Sequence, residues 1–145
     1  MKKFLVAATA LATLMAAGVS TAQAGSRVIV EQYGFANGAA VGQKGYKNRV
    51  HTYQRGGFNY VRSWQAGARN DAVVGQQGNA NSAAISQGGS RNIAGVAQFG
   101  NRNTATTTQS GSGNASAVIQ LGNGKNADVN QSGRNNTAVV IQGGW

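Results

Sequence analysis

One glutamine returns every eleven residues without a miss, at Gln32, Gln43, Gln54, Gln65, Gln76, Gln87, Gln98, Gln109, Gln120, Gln131 and Gln142. The glycine two places on keeps the same interval, at Gly34, Gly45, Gly56, Gly67, Gly78, Gly89, Gly100, Gly111, Gly122 and Gly133, with Gly144 closing the series. Five places after each glutamine stands an asparagine, at Asn37, Asn48, Asn59, Asn70, Asn81, Asn92, Asn103, Asn114 and Asn136, and only Lys125 breaks that column. A constant interval over most of a chain specifies repeats that bury surface by stacking on one another.

Eleven residues also make three turns of a helix in a right-handed supercoil. Composition rejects that reading, because a helix would hold one to three glycines per unit, each costing up to about 1 kcal/mol relative to alanine, along with asparagine and β-branched residues. As a strand the unit is coherent. Asn81, Ala83, Ile85 and Gln87 alternate with Ser82, Ala84 and Ser86, so one face is fixed by the repeat and the other is free to vary. A tight arc over Gly89 to Asn92 is then expected, with the glycine supplying backbone angles that other residues resist.

Each arc turns the chain back across a thin core, so two units make one coil of twenty-two residues and residue i lies beside residue i+22. The fold class is all-β: a two-sheet parallel β-solenoid of cross-β type, about five coils with eleven strands. Inside go an alanine column (Ala39, Val50, Val61, Ala72, Ala83, Ala94, Ala105, Ser116, Ala127, Ala138) and a valine column (Val41, Thr52, Ser63, Val74, Ile85, Val96, Thr107, Val118, Val129, Val140). Glutamine and asparagine end the same inward face, where unpaired amides are costly. Identical amides stacked along the axis can satisfy one another in ladders.

Residues 1–24 read as a secretion leader: Lys2 and Lys3, an apolar run from Phe4 to about Ala17, and Ala22-Gln23-Ala24 as a small-x-small cleavage site. That run is shorter than the roughly 20 residues a membrane span needs, and no later stretch predicts one. Residues 25–31 form a short lead-in and first strand, and 32–145 the repeat domain. Lys and Arg outnumber Asp and Glu by 13 to 3, a net +10 that becomes +8 when Lys2 and Lys3 leave with the leader. The absence of Cys removes disulfides from a secreted chain. The absence of Pro fits a backbone in which nearly every N–H pairs with another strand.

The stretch from Tyr33 to Trp64 is chemically distinct. Its outward and arc positions hold Tyr33, Phe35, Tyr46, Tyr53, Phe58, Tyr60 and Trp64 together with Lys44, Lys47, Arg49, Arg55 and Arg62. Such a face suits polyanions such as extracellular DNA or acidic polysaccharide; equally, strands favour aromatics and charge keeps an aggregation-prone chain soluble. Lys47, Arg69 and Arg91 are twenty-two apart and predict a stacked column of three cations, a gatekeeper or an anion contact. Arg49 and Asp71 have the same spacing and predict a cross-coil ion pair. His51 reads as a lone exposed polar residue, and Lys125, followed by Asn126, as a local change of arc. The final strand, Thr137 to Gln142, is uncharged and leaves an edge able to recruit another chain, with Gly143-Gly144-Trp145 either capping it loosely or joining the contact.

No enzyme, cofactor or metal site is expected. The acids Glu31, Asp71 and Asp128 fall on separate strands, there is one His, and the glycines serve the period instead of a phosphate loop. Two classes of function remain. One is a structural subunit that stacks head to tail with copies of itself; the other is a soluble, monomeric β-solenoid adhesin that binds acidic polymers. Ice binding needs a flat regular array, and Thr104 with Thr106 to Thr108 is only a local cluster.

The Q-x-G-x-x-N-x-A-x3-Q unit, doubled to twenty-two residues and repeated about five times behind a secretion signal, resembles the curlin repeat of bacterial curli subunits over roughly residues 28 to 144. The resemblance implies a secreted functional-amyloid subunit that polymerises at the outer cell surface into biofilm matrix fibres and contributes to adhesion. The glutamine and asparagine columns stand where that family's ladder residues stand. It also implies a partner curlin subunit and an outer-membrane secretion channel, although family members often carry a longer segment ahead of the first repeat than Gly25 to Arg27. Basic charge leans toward a nucleating subunit, whereas columns intact through Ile141 lean toward the major polymerising subunit, which is the reading preferred.

Overall fold

A computed structural model describes residues 25–144, and the leader expected over residues 1–24 lies outside them. Alternation of fixed and variable side chains carries each unit into a strand. These are β1 (Arg27–Phe35), β2 (Gly38–Tyr46), β3 (Arg49–Gly57), β4 (Tyr60–Ala68), β5 (Asp71–Asn79), β6 (Ser82–Ser90), β7 (Ile93–Asn101), β8 (Thr104–Ser112), β9 (Ala115–Asn123), β10 (Asn126–Arg134) and β11 (Thr137–Gln142). Odd strands form one sheet in the order β1-β3-β5-β7-β9-β11 and even strands a second in the order β10-β8-β6-β4-β2. All pairings are parallel and in the expected register, Gln54 beside Gln76 and Gln65 beside Gln87. The two-sheet parallel solenoid read from the period is the fold.

Between the sheets lie Val50, Val61, Ala72, Val74, Ala83, Ile85, Ala94 and Val96 with their counterparts further along, all buried. The alanine and valine columns therefore point inward as their alternation requires. Thr52, Ser63, Thr107 and Ser116 stand in the same columns, and their hydroxyls have no hydrogen-bond partner. An unsatisfied buried hydroxyl lowers stability by about 1–3 kcal/mol, so these four positions are concessions within an otherwise apolar interior.

The arcs differ from expectation. β6 continues through Gly89 to Ser90, and the arc is only Arg91-Asn92. The left-handed backbone falls on the residue before each asparagine, with φ of 52° to 58° at Ala36, Lys47, Phe58, Arg69, Ala80, Arg91, Arg102 and Asn135. L-residues resist that conformation by roughly 1–2 kcal/mol, and the hydrogen bonds of the neighbouring asparagine hold it. The repeat glycine has another task. Its φ is 103° to 123° from Gly34 to Gly133, and a Cβ added at Gly78 would overlap the carbonyl oxygen of Gly100 one coil on. The glycine column sets how closely coils approach. At Lys125 no change of arc occurs: Gly124 takes the left-handed position at φ 64° and β10 keeps its register with β8.

Gly78→Ala places a methyl group against the next coil and a side chain at positive φ, a combination that destabilises by well over about 1 kcal/mol. The expected outcome is loss of the cooperative β-sheet signal in circular dichroism under conditions where Gly88→Ala, whose added Cβ meets only Gln109 O at 3.9 Å, retains it.

Candidate functional site

Two glutamine ladders run the length of the solenoid. In the odd strands Gln32 Nε2 donates to Gln54 Oε1 at 2.6 Å, Gln54 to Gln76 at 2.9 Å, Gln76 to Gln98 at 2.7 Å, Gln98 to Gln120 at 2.8 Å and Gln120 to Gln142 at 2.9 Å. In the even strands Gln43, Gln65, Gln87 and Gln109 donate in turn to Gln65, Gln87, Gln109 and Gln131 at 2.7 to 2.9 Å. From Gln43 on, each amide also donates to a main-chain carbonyl, as Gln76 to Tyr60 O and Gln87 to Asp71 O. A buried glutamine thus satisfies both donors and its oxygen without water. Every ladder bond points the same way, from lower to higher residue number.

The asparagine columns work differently. Asn70 Oδ1 accepts the main-chain N–H of Asn92, and Asn70 Nδ2 donates to Gly89 O at 3.1 Å. Side-chain to side-chain bonds occur at some steps, such as Asn81 Nδ2 to Asn59 Oδ1 at 3.1 Å, but the backbone carries the column. That explains Lys125, whose main-chain N–H still donates to Asn103 Oδ1 at 2.9 Å. It also identifies Ser26, which the repeat rule passes over: its hydroxyl accepts the N–H of Asn48 at 3.2 Å where an asparagine would otherwise stand.

On the outside, Lys47, Arg69 and Arg91 occupy one arc column and are exposed, with φ of 55° to 57°. Arg69 lies over the Tyr46 ring, 5.9 Å from its centroid, a contact that favours a cation beside an aromatic face. Aromatics of the first coils lean over glycines twenty-two residues away, Phe35 over Gly57, Tyr60 over Gly38 and Trp64 over Gly42. Those extra glycines outside the column were a readable signal that the period alone does not flag. Phe35 and Phe58 meet edge to face at 5.1 Å, and Tyr33 and Tyr53 lie 5.6 Å apart. Shallow grooves flank Arg62 and Trp64, one floored by Ala84, Ser86 and Thr106, the other by Ala40 and Gly42.

Arg49 and Asp71 are strand partners as expected, yet they form no ion pair within 4.0 Å and Asp71 Oδ1 has no hydrogen-bond partner. An exposed arginine loses more side-chain freedom than such a pair returns. His51 Nε2 lies 3.9 Å from Glu31 Oε1, too far for a hydrogen bond, so His51 is outward with a carboxylate nearby.

The remaining feature is the pair of ends. β1 and β11 terminate one sheet, β2 and β10 the other. Val139 and Ile141 on β11 are 62% and 67% exposed, large apolar groups on an uncharged strand. Among the described residues, parallel strands with amide ladders inside and sheet edges that no further strand covers define a stacking repeat protein. The curlin associated repeat matches residues 47–78, 67–100, 78–106 and 100–133. The chain belongs to the curlin repeat family. No curated protein and no solved structure matches it. Among the described residues no helix is long and apolar enough to cross a membrane.

Gln76→Ala leaves Gln54 without its acceptor and Gln98 without its donor, and opens a void in a buried column. The expected loss is about 2–5 kcal/mol in urea unfolding, whereas Gln77→Ala, on the outward face of the same strand, stays within about 0.5 kcal/mol.

Proposed function

We propose that this chain is a secreted structural subunit of a curli-like functional-amyloid fibre, exported behind the leader of residues 1–24 and assembled through the repeat domain of residues 32–145. The observation that carries this reading is the in-register amide ladder ending in open parallel edges on both sheets. The edge at one end of a subunit binds the opposite edge of an identical copy with every hydrogen bond already in position, and a head-to-tail contact that does not close on itself makes a filament. The glutamine and asparagine columns act as self-assembly ladders and the glycine column as the spacer between rungs. Glutamine, glycine and valine columns intact through Ile141 support the role of major polymerising subunit over that of nucleator. A second curlin and an outer-membrane channel are the partners that the family reading adds.

The test is assembly from dilute, freshly desalted monomer, read by thioflavin fluorescence and by a fibre reflection near 4.7 Å. Protein that stays monomeric for days would falsify the proposal in favour of a soluble solenoid adhesin. The N–H of Ala115 on β9 points toward β11, donating to Asn136 O; by strand alternation the N–H of Val139 points to the open side. Val139→Pro therefore removes an edge donor while sparing the bonds to β9, and growth is expected to slow roughly tenfold, the effect of about one hydrogen bond.

The grooves beside Arg62 and Trp64, with the exposed column of Lys47, Arg69 and Arg91, support a further role in holding acidic polysaccharide or extracellular DNA on the fibre. Replacing Lys47, Arg69 and Arg91 by Gln is expected to weaken retention of DNA by fibres and flatten its salt dependence. Unchanged retention would return the column to a role in solubility alone.

A further inference from the structure

The described residues hold eleven strands, an odd number, and their two sheets end unevenly: β11 stands one half-coil beyond β10. The next position in the solenoid after β11 lies in the even-strand sheet, on top of β10. We infer that successive copies in the fibre are related by a half turn about its axis, so that β1 of the next copy pairs with β10 and β2 of the next copy pairs with β11. The sheet built from odd strands in one subunit then continues as the sheet of even strands in the next. This inference rests on the fibre reading above and specifies its joint.

Three observations converge on it. First, the half turn covers both edges at once, whereas a second copy added without rotation sets its β1 on β11 and leaves one strand position vacant above β10. That vacancy would expose a row of backbone donors and acceptors and open the interior at Ala127 and Val129. Second, the columns continue without a break. Val28, Val30 and Gly34 of the next copy fall on Ala127, Val129 and Gly133, while Ala39 and Val41 fall on Ala138 and Val140, by the same spacing that relates every pair within the chain. Third, the hydrogen-bonding sense matches. Each glutamine donates toward the higher-numbered coil, so Gln131 reaches the joint with an N–H beyond the one it gives to Ala115 O. Gln32, which donates to Gln54 and has no ladder glutamine before it among the described residues, meets it there with an acceptor oxygen. Asn136 Oδ1 likewise stands where the N–H of Asn37 arrives, as Asn114 Oδ1 receives Asn136.

The half turn also redistributes charge. The cations at 47, 69 and 91 occupy one arc edge of their own subunit, and rotation moves the same triplet of the following subunit to the opposite edge. Arg27 of the next copy comes beside Asn126, diagonal to Asp128 and attractive to it. The fibre acquires a repeat of two subunits, each rising by five and a half rungs of roughly 4.8 Å.

The chain has no cysteine, so introduced thiols report the joint without background. In the half-turn arrangement Ala40 of one copy lies beside Val139 of another, both facing outward, at a parallel-strand spacing that a disulfide can span. Without rotation, Ile29 takes the place beside Val139. Fibres of Ala40→Cys/Val139→Cys, oxidised and dissolved in formic acid, are expected to give a ladder of covalent multimers on a non-reducing gel, and fibres of Ile29→Cys/Val139→Cys only monomer. Should the first pair fail to assemble, Ile29→Cys/Asp128→Cys reads the other half of the same joint and is expected to link. The reverse pattern, or fibres with a 4.7 Å reflection in which no half-turn pair links, overturns the half turn and leaves the fibre reading standing. Failure of the unmodified chain to form any fibre removes both.

Discussion

A primary amide buried between two sheets is tolerable only if something immediately above and below it supplies the missing partners. Here that something is the same amide on the next coil. Gln76 accepts from Gln54, donates to Gln98 and gives its second proton to Tyr60 O. Water could not do this in so thin an interior, and an apolar replacement would lose the alignment between coils. The rest of the molecule follows from keeping that stack in line: an invariant period, small aliphatic neighbours, and a glycine wherever main chains come closest.

Compactness of the rungs is bought with local strain. Each arc has only two residues, one of them left-handed, and eight of these are not glycine. The asparagine beside each one compensates, because its side chain ties the arc to the coil after it, as Asn92 does through Asn114 N–H and Gly111 O. The arc residue is then free to be chosen for what it shows to solvent. Lys47, Arg69, Arg91, Arg102 and Phe58 all use that freedom.

Much of this was legible in the residues themselves. The periodicity of Gln32 to Gln142 gave the coil length, the register and the inward columns, since stacking leaves no other way to satisfy those amides. The asparagine columns bond side chain to side chain only at some steps, such as Asn59 to Asn37 and Asn136 to Asn114, because a sequence does not say whether an amide oxygen meets a side chain or a backbone N–H. The left-handed arc residue was hidden for the opposite reason: no one residue type marks it, and the conformation is imposed by Asn37 and its counterparts from one side. Ser26 escaped because here its hydroxyl stands in for the acceptor oxygen of an asparagine without being an amide. The Arg49–Asp71 pairing failed at the level of side-chain rotamers, which register does not fix.

Because strands pair only with the strand one coil away, damage and benefit both travel poorly along the axis. Stability in such a body is close to a sum over neighbouring rungs. A lineage could therefore lengthen or shorten the molecule by a whole coil and leave each surviving environment unchanged. Loss of a single strand-arc unit is a different event: every later strand would cross to the other side, and decorations that had shared one flank would be divided between two.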